Sequence, residues 1–198
     1  MTKILPTIGP VTEKLKDLKY LIKYSDYIRL NGAHNNINWH KKISNNLKKL
    51  DPQINILLDF PGVKPRTSNN KIVKIKKNEI IIFFYKKSVA QFKNFLNIGI
   101  TNPFPVFKKS IKEFSVNDGR YKFRIIKIHK KYILAKSDSD FDLSPQKGVN
   151  FPLSIYDEKS QLKKYLKFYH NIKNVINFDA IGLSYVQSGK LVKSIKKK

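Results

Sequence analysis

The sequence predicts an α/β fold in which parallel strands alternate with helices and are interrupted by a small all-β module. Three observations carry this. The first sixty residues run strand, helix, strand, helix, strand, which argues for parallel strands joined by right-handed crossovers. Residues 67–147 then hold only short β-rich runs and turns. After Pro152 the helical period returns and leads into a further strand.

Lys3 to Ile8 is a short apolar run closed by Gly9-Pro10, a buried strand. Val11, Leu15, Leu18 and Ile22 then share one helix face. Tyr27 to Leu30 is the second strand. Trp39, Ile43, Leu47 and Leu50 give a second helix, closed by Asp51-Pro52. Ile54 to Leu58 is the third strand.

The rhythm changes at Pro61-Gly62. Ile72 to Ile75 and Ile80 to Tyr85 read as strands flanking Lys76–Glu79. Phe114 to Val116 precedes Asn117-Asp118-Gly119, a strong tight-turn signal. Tyr121 to Ile128 and Tyr132 to Ala135 form another hairpin around His129–Lys131. Beyond Pro152, Ser154-x-x-Asp157 suits a helix cap, and Leu162, Tyr165, Leu166, Tyr169 and Ile172 share a face. Asp179 to Val186 is the fourth strand of this type, and Ser188 to Lys198 begins a helix.

The chain has 198 residues, of which 41% are apolar and 12% aromatic, enough for a core. It has no cysteine, which excludes disulfides and thiolate chemistry. The longest apolar run, Ile80–Tyr85, is too short to span a bilayer, and no signal peptide is visible, so a soluble cytoplasmic protein with no membrane partner is expected. The net charge of +26 invites a nucleic-acid partner. Yet arginine, favoured for its bidentate fork, occurs only at Arg29, Arg66, Arg120 and Arg124, while lysine is spread everywhere. A general Lys/Asn/Ile bias accounts for the charge better, and nucleic acid is not the expected partner.

Strand ends are where chemistry gathers in parallel β/α folds. Arg29 and Asn31 end the second strand, Asp59 ends the third, and Ser184 lies near the end of the fourth. Taken by themselves, Arg29-x-Asn31-x-x-His34 read as a salt-bridged arginine at a strand end beside an Asn–His helix cap. Arg66, after Lys64-Pro65, reads by itself as a hinge ion pair. Lys147 in Lys147-Gly-Val-Asn150 reads by itself as a solvated turn lysine, and Asp118 as a hairpin-turn residue.

Five stretches occur in one order: Thr2-Lys-Ile-Leu-Pro-Thr-Ile-Gly-Pro10, Arg29-Leu-Asn-Gly-Ala-His34, Leu57-Leu-Asp-Phe-Pro-Gly-Val-Lys-Pro-Arg-Thr67, Lys147-Gly-Val-Asn-Phe-Pro152 and Ile181-Gly-Leu-Ser-Tyr-Val186. Together they resemble the amino-terminal half of pyruvate kinase. The resemblance implies a (β/α)₈ barrel interrupted after its third strand by a β-barrel lid. Such a barrel takes about 250 residues, and roughly 115 remain here outside the insert. The expected fold is therefore a partial (β/α) barrel of about four β/α units: residues 1–66 and 148–198, with the inserted all-β lid at 67–147.

The resemblance further implies transfer of a phosphoryl group between phosphoenolpyruvate and ADP, as in glycolysis. It makes Arg29, His34, Arg66 and Lys147 the nucleotide or phosphate ligands, with Arg29 and Lys147 catalytic. It places Asn31, Asp59 and Lys64 at a monovalent-cation region. Ala33 and Phe60 replace two hydroxyl ligands for K⁺ there, and Lys64 stands where potassium-independent members carry lysine, so K⁺ is not expected to be required. The family's K-I-E segment, its Mg²⁺-binding carboxylates and a catalytic threonine have no counterpart before Lys198. The expectation is Mg²⁺ held by a missing or partner segment, a homo-oligomer or second chain completing the barrel, and a chain close to inactive alone. The alternatives are a non-catalytic module that binds nucleotide or phosphorylated ligands, and a basic nucleic-acid-associated protein.

Overall fold

A computed structural model describes residues 2–85, 94–107, 111–129, 131–152 and 154–196. Lys130 of the predicted hairpin turn and Lys197 and Lys198 of the basic tail lie outside these residues. In chain order the elements begin α1 (Leu15–Ile22), β1 (Tyr27–Asn31), α2 (Ile37–Leu50) and β2 (Asn55–Phe60). Short strands follow: β3 (Val73–Ile75), β4 (Ile80–Tyr85), β5 (Leu96–Ile100), β6 (Val106–Phe107) and β7 (Glu113–Val116). Next come β8 (Tyr121–Ile128), β9 (Tyr132–Ser137), β10 (Phe141–Leu143), β11 (Val149–Asn150) and β12 (Ser154–Ile155). The chain continues with α3 (Glu158–Ile172), β13 (Ala180–Leu183) and α4 (Gly189–Lys196). It divides into two compact units, an α/β unit of Met1–Gly62 with Glu158–Lys198 and a β unit of Val63–Asp157.

The α/β unit is built on a parallel sheet with the order β1-β2-β13. Period-two alternation turns Ile28, Leu30, Ile56, Leu58 and Phe60 into the core, where they join Leu18, Ile43, Leu47, Tyr165 and Ile172. The opposite, half-buried face carries Arg29, Asn31, Leu57 and Asp59. Thus the same alternation that builds the core delivers the polar residues to one side of the strand ends.

Three expectations need correction. The run Lys3–Ile8 forms no full strand: Thr7 alone bridges Arg29 in parallel, Arg29 N–H donating to Pro6 O (2.8 Å) and Ile8 N–H to Arg29 O (3.1 Å). Pro6 has no N–H to extend the ladder, and Ile4 and Leu5 stay exposed. Helix α1 starts only at Leu15, after a turn in which Gly9 N–H donates to Thr12 Oγ1 (3.1 Å) and Thr12 N–H to Gly9 O (3.0 Å). Val11 and Leu15 are therefore exposed, and the buried face is Leu18 with the partly buried Leu21 and Ile22. Finally, Ser154 does not cap α3: it lies in β12 and its Oγ donates to Phe151 O (2.9 Å).

The β unit holds a six-stranded sheet, order β11-β7-β8-β9-β4-β5, with two-stranded ladders β10-β3 and β12-β6. Phe83, Phe114 and Phe123 meet with ring centroids 5.0–5.2 Å apart at its centre. The predicted Asn117-Asp118-Gly119 turn joins β7 to β8 with all three residues at positive φ (58°, 55° and 93°). Asn, Asp and Gly are the residues that adopt this conformation most readily.

Candidate functional site

In the α/β unit the polar cluster grows from the ends of β1 and β2. Arg29 Nη2 donates to Asp59 Oδ2, and its Nη1 donates to Thr7 Oγ1 at 3.0 Å. Ser184, just past β13, donates to Asp59 Oδ1 at 3.3 Å. One carboxylate thus ties together the loop before α1, β1, β2 and the end of β13. Asn31 is the register partner of Asp59, and its Oδ1 accepts from Ala33 N–H at 3.0 Å. His34 N–H donates to Asn31 O at 3.1 Å, and the His34 side chain is exposed.

Gly32 fits where no other residue would. Its N–H donates to Asp59 O at 2.8 Å, and an added Cβ would stand 2.7 Å from that oxygen and 2.8 Å from the Phe168 ring.

Several polar residues around this cluster escaped the sequence reading. His40 is buried in α2 and its Nε2–H donates to His34 O at 2.9 Å, so it braces the turn from below. Burial pushes its pKa below the ordinary value, with the hydrogen bond to His34 acting the other way. Gln161 and Tyr165, both buried on α3, hold the chain after β13. Tyr165 OH donates to Ser184 O, while Gln161 Nε2 lies 3.0 Å from Ser184 O and 2.8 Å from Tyr185 O. Burial raises the Tyr165 phenol, the Gln161 hydrogen bond opposes this, and the Asp59 charge adds to the rise. A polar residue one turn before a core tyrosine, at i and i+4 on one helix face, was the available signal for Gln161.

Asp179 works at the opposite ends of the strands. Its Oδ2 accepts from Ile56 N–H (2.8 Å) and from Lys48 Nζ (2.9 Å), and Lys48 also donates to Ile54 O (2.8 Å). Burial disfavours its ionised form, but the Ile56 N–H and then Lys48 outweigh this and hold the carboxyl below its usual value.

The β unit carries its own cluster. The segment Lys64–Thr67 runs beside Gln146–Val149: Thr67 N–H donates to Lys147 O (2.8 Å), Lys147 N–H to Thr67 Oγ1 (3.0 Å) and Val149 N–H to Pro65 O (2.8 Å). Arg66 pairs with Gly148 as an antiparallel bridge, and its Nη1 donates to Gln146 O at 3.0 Å. The 117–119 turn joins the same place, since Asn117 N–H donates to Gly148 O at 2.9 Å. Lys64 Nζ reaches Asp118 Oδ1 at 2.8 Å, and its stem passes so close to Gly148 that a Cβ there would lie 2.7 Å from Lys64 Cε. The hydrogen bond from Lys64 and then its charge hold Asp118 below its ordinary pKa; burial opposes, and Arg66 and Lys147 add to the lowering. Lys64, Arg66, Lys147 and Asp118 therefore form one group.

Of the residues singled out by sequence, Arg29, Asn31, His34 and Asp59 belong to the α/β unit, and Lys64, Arg66 and Lys147 to the β unit. Among the described residues no three His, Cys, Asp or Glu side chains gather to hold a metal ion. No helix among them is long and apolar enough to cross a membrane.

The family model described as pyruvate kinase, barrel domain, matches residues 1–198. A pyruvate kinase of Buchnera aphidicola subsp. Schizaphis graminum is 34% identical over 166 residues, which are 75% of this chain and 32% of that protein. A pyruvate kinase of Staphylococcus aureus (strain USA300) is 29% identical over 165 residues, 76% of this chain and 27% of that protein. The matched region thus spans about a third of the length of these relatives. With arginine, asparagine and aspartate set at the ends of parallel strands and the family model matching residues 1–198, this chain belongs to the pyruvate kinase family.

Proposed function

We propose that the chain supplies the phosphate-binding cations for phosphoryl transfer between phosphoenolpyruvate and ADP. Arg29, His34, Arg66 and Lys147 are the proposed nucleotide or phosphate ligands, with Arg29 and Lys147 the proposed catalytic cations. Phosphoryl transfer needs little covalent help; it needs cations that hold oxygens in line and spread developing charge. The observation that carries this reading is the gathering of Lys64, Arg66 and Lys147 about a single carboxylate in a member of this family.

The family implies Mg²⁺, but the carboxylates here do not fit it. Asp59 is committed to Arg29 and Ser184 and Asp179 to Ile56 and Lys48, while Asp118 stands among cations that repel a metal ion. Magnesium demands near-octahedral oxygen ligands, and no step through it is drawn from these residues. We infer that residues outside this sequence supply the metal-holding carboxylates. Lys64 provides a fixed positive charge, so the transfer is expected to run without K⁺.

A coupled pyruvate-release assay tests the reading, run on the chain alone and with the products of neighbouring genes. Turnover only with a companion is expected, at a rate unchanged when NaCl replaces KCl. The commitment of its carboxylates also favours a second reading, a non-catalytic module that binds phosphorylated ligands. ADP binding without turnover beside any companion would select it.

A further inference from the structure

We propose that Asp118 is a built-in competitor for the anion that Lys64, Arg66 and Lys147 take, and so sets the ligand class of the cluster: multiply charged phosphates, not singly charged anions. This rests on the reading of these three cations as a phosphate site.

The geometry gives Asp118 the place of a ligand and not of a structural tie. Its carboxylate meets the Lys64 ammonium at 2.8 Å, yet its own side chain is 84% exposed while that of Lys64 is 20% exposed. The backbone of the turn is held independently, by Asn117 N–H to Gly148 O (2.9 Å) and Arg120 N–H to Asn117 O (3.2 Å). Releasing the Asp118 carboxylate therefore breaks an exposed ion pair without undoing the turn. The Lys64 side chain, by contrast, lies against Gly148 and is the shielded partner of the pair.

One carboxylate offers a single negative charge and two oxygens to three cations, leaving two positive charges uncompensated. A phosphate or pyrophosphate group brings more charge and more acceptor oxygens, so it displaces the carboxylate. Chloride or acetate offers no more than Asp118 already does and is excluded. The turn thus works as a filter.

Titration of inorganic pyrophosphate into the full chain tests this, comparing the unaltered protein with Asp118→Asn at two salt concentrations. Asparagine is at ease at the φ of 55° found here, so the turn is kept, and an unchanged melting temperature verifies it. Asp118→Asn is expected to bind pyrophosphate about three- to tenfold more tightly, with a steeper loss of affinity as salt rises. The gain should vanish when Lys64→Met is added. A merely structural Asp118 would give weaker binding on substitution. Equal or weaker binding by Asp118→Asn, with the unaltered chain binding well, overturns the filter alone. Binding by neither protein overturns the phosphate reading of the cluster as well.

Discussion

Arg29 and Asp59 pair diagonally across β1 and β2: the register sets Arg29 opposite Leu57 and Asn31 opposite Asp59, and the guanidinium reaches along the strand to the carboxylate. Both side chains are mostly shielded, at 28% and 16% exposure. The pair, with the Thr7 hydroxyl, fixes the arginine while part of it stays exposed. A double-mutant cycle of Arg29→Met and Asp59→Asn, read by chemical denaturation, should give a coupling of about 1 kcal/mol, the upper end for partly exposed pairs. A coupling near zero would mean the two groups do not hold one another.

Asp179 is expected to matter for stability and not for ligand binding. Asp179→Ala leaves the Ile56 N–H and the Lys48 ammonium without their acceptor, which should cost about 1–3 kcal/mol. Urea midpoints check this, and an unchanged midpoint would show that water replaces the carboxylate at no cost.

Gly32→Ala should be costly too. The Cβ meets the backbone oxygen of Asp59 and the Phe168 ring, and a backbone neighbour gives way only by moving β2. The expected loss is about 1–3 kcal/mol, the range for overpacking. Gly148→Ala provides the contrast: the obstacle there is a flexible lysine end, so thermal stability should hold while the Lys64 ammonium is displaced.

His40 makes the fold acid-sensitive. Its folded pKa lies below the ordinary 6.5, so the unfolded chain takes up the proton first as pH falls. The stability contributed by neutral His40 is therefore present above about pH 6.5 and falls as pH drops below that value. Urea midpoints at pH 7.5 and 5.5 should differ more in the unaltered chain than in His40→Gln. Equal differences would remove His40 from the pH response.

Apolar rhythm made much of the fold legible. Ile43 and Leu47 lie on the buried face of α2, and Ile56 and Leu58 point into the core from β2, where period 3.6 and period 2 assign them. Asn117-Asp118-Gly119 announced its turn through residues that accept positive φ. What stayed hidden depends on contacts between distant segments. Gln161 reads as a solvated helix residue until its amide meets carbonyls 23 and 24 positions onward. Asp179 looks like a strand leader, but its partners Ile56 and Lys48 lie more than a hundred residues earlier. At the site, Arg29 and Asp59 were visible as strand-end residues; an ion pair for Arg29 was visible only as an alternative, without its partner. Proline explains the lost first strand, because an apolar run reads the same whether or not each residue can donate to a ladder.

Calorimetric titration of ADP into the chain and into Arg66→Met and Lys147→Met variants probes the phosphate cluster most directly. Saturable binding to the unaltered chain is expected, weakened by about tenfold or more in each variant, as fits the loss of a charge-assisted hydrogen bond. ADP affinity that survives both substitutions unchanged, or no ADP binding to the unaltered chain, would contradict the assignment.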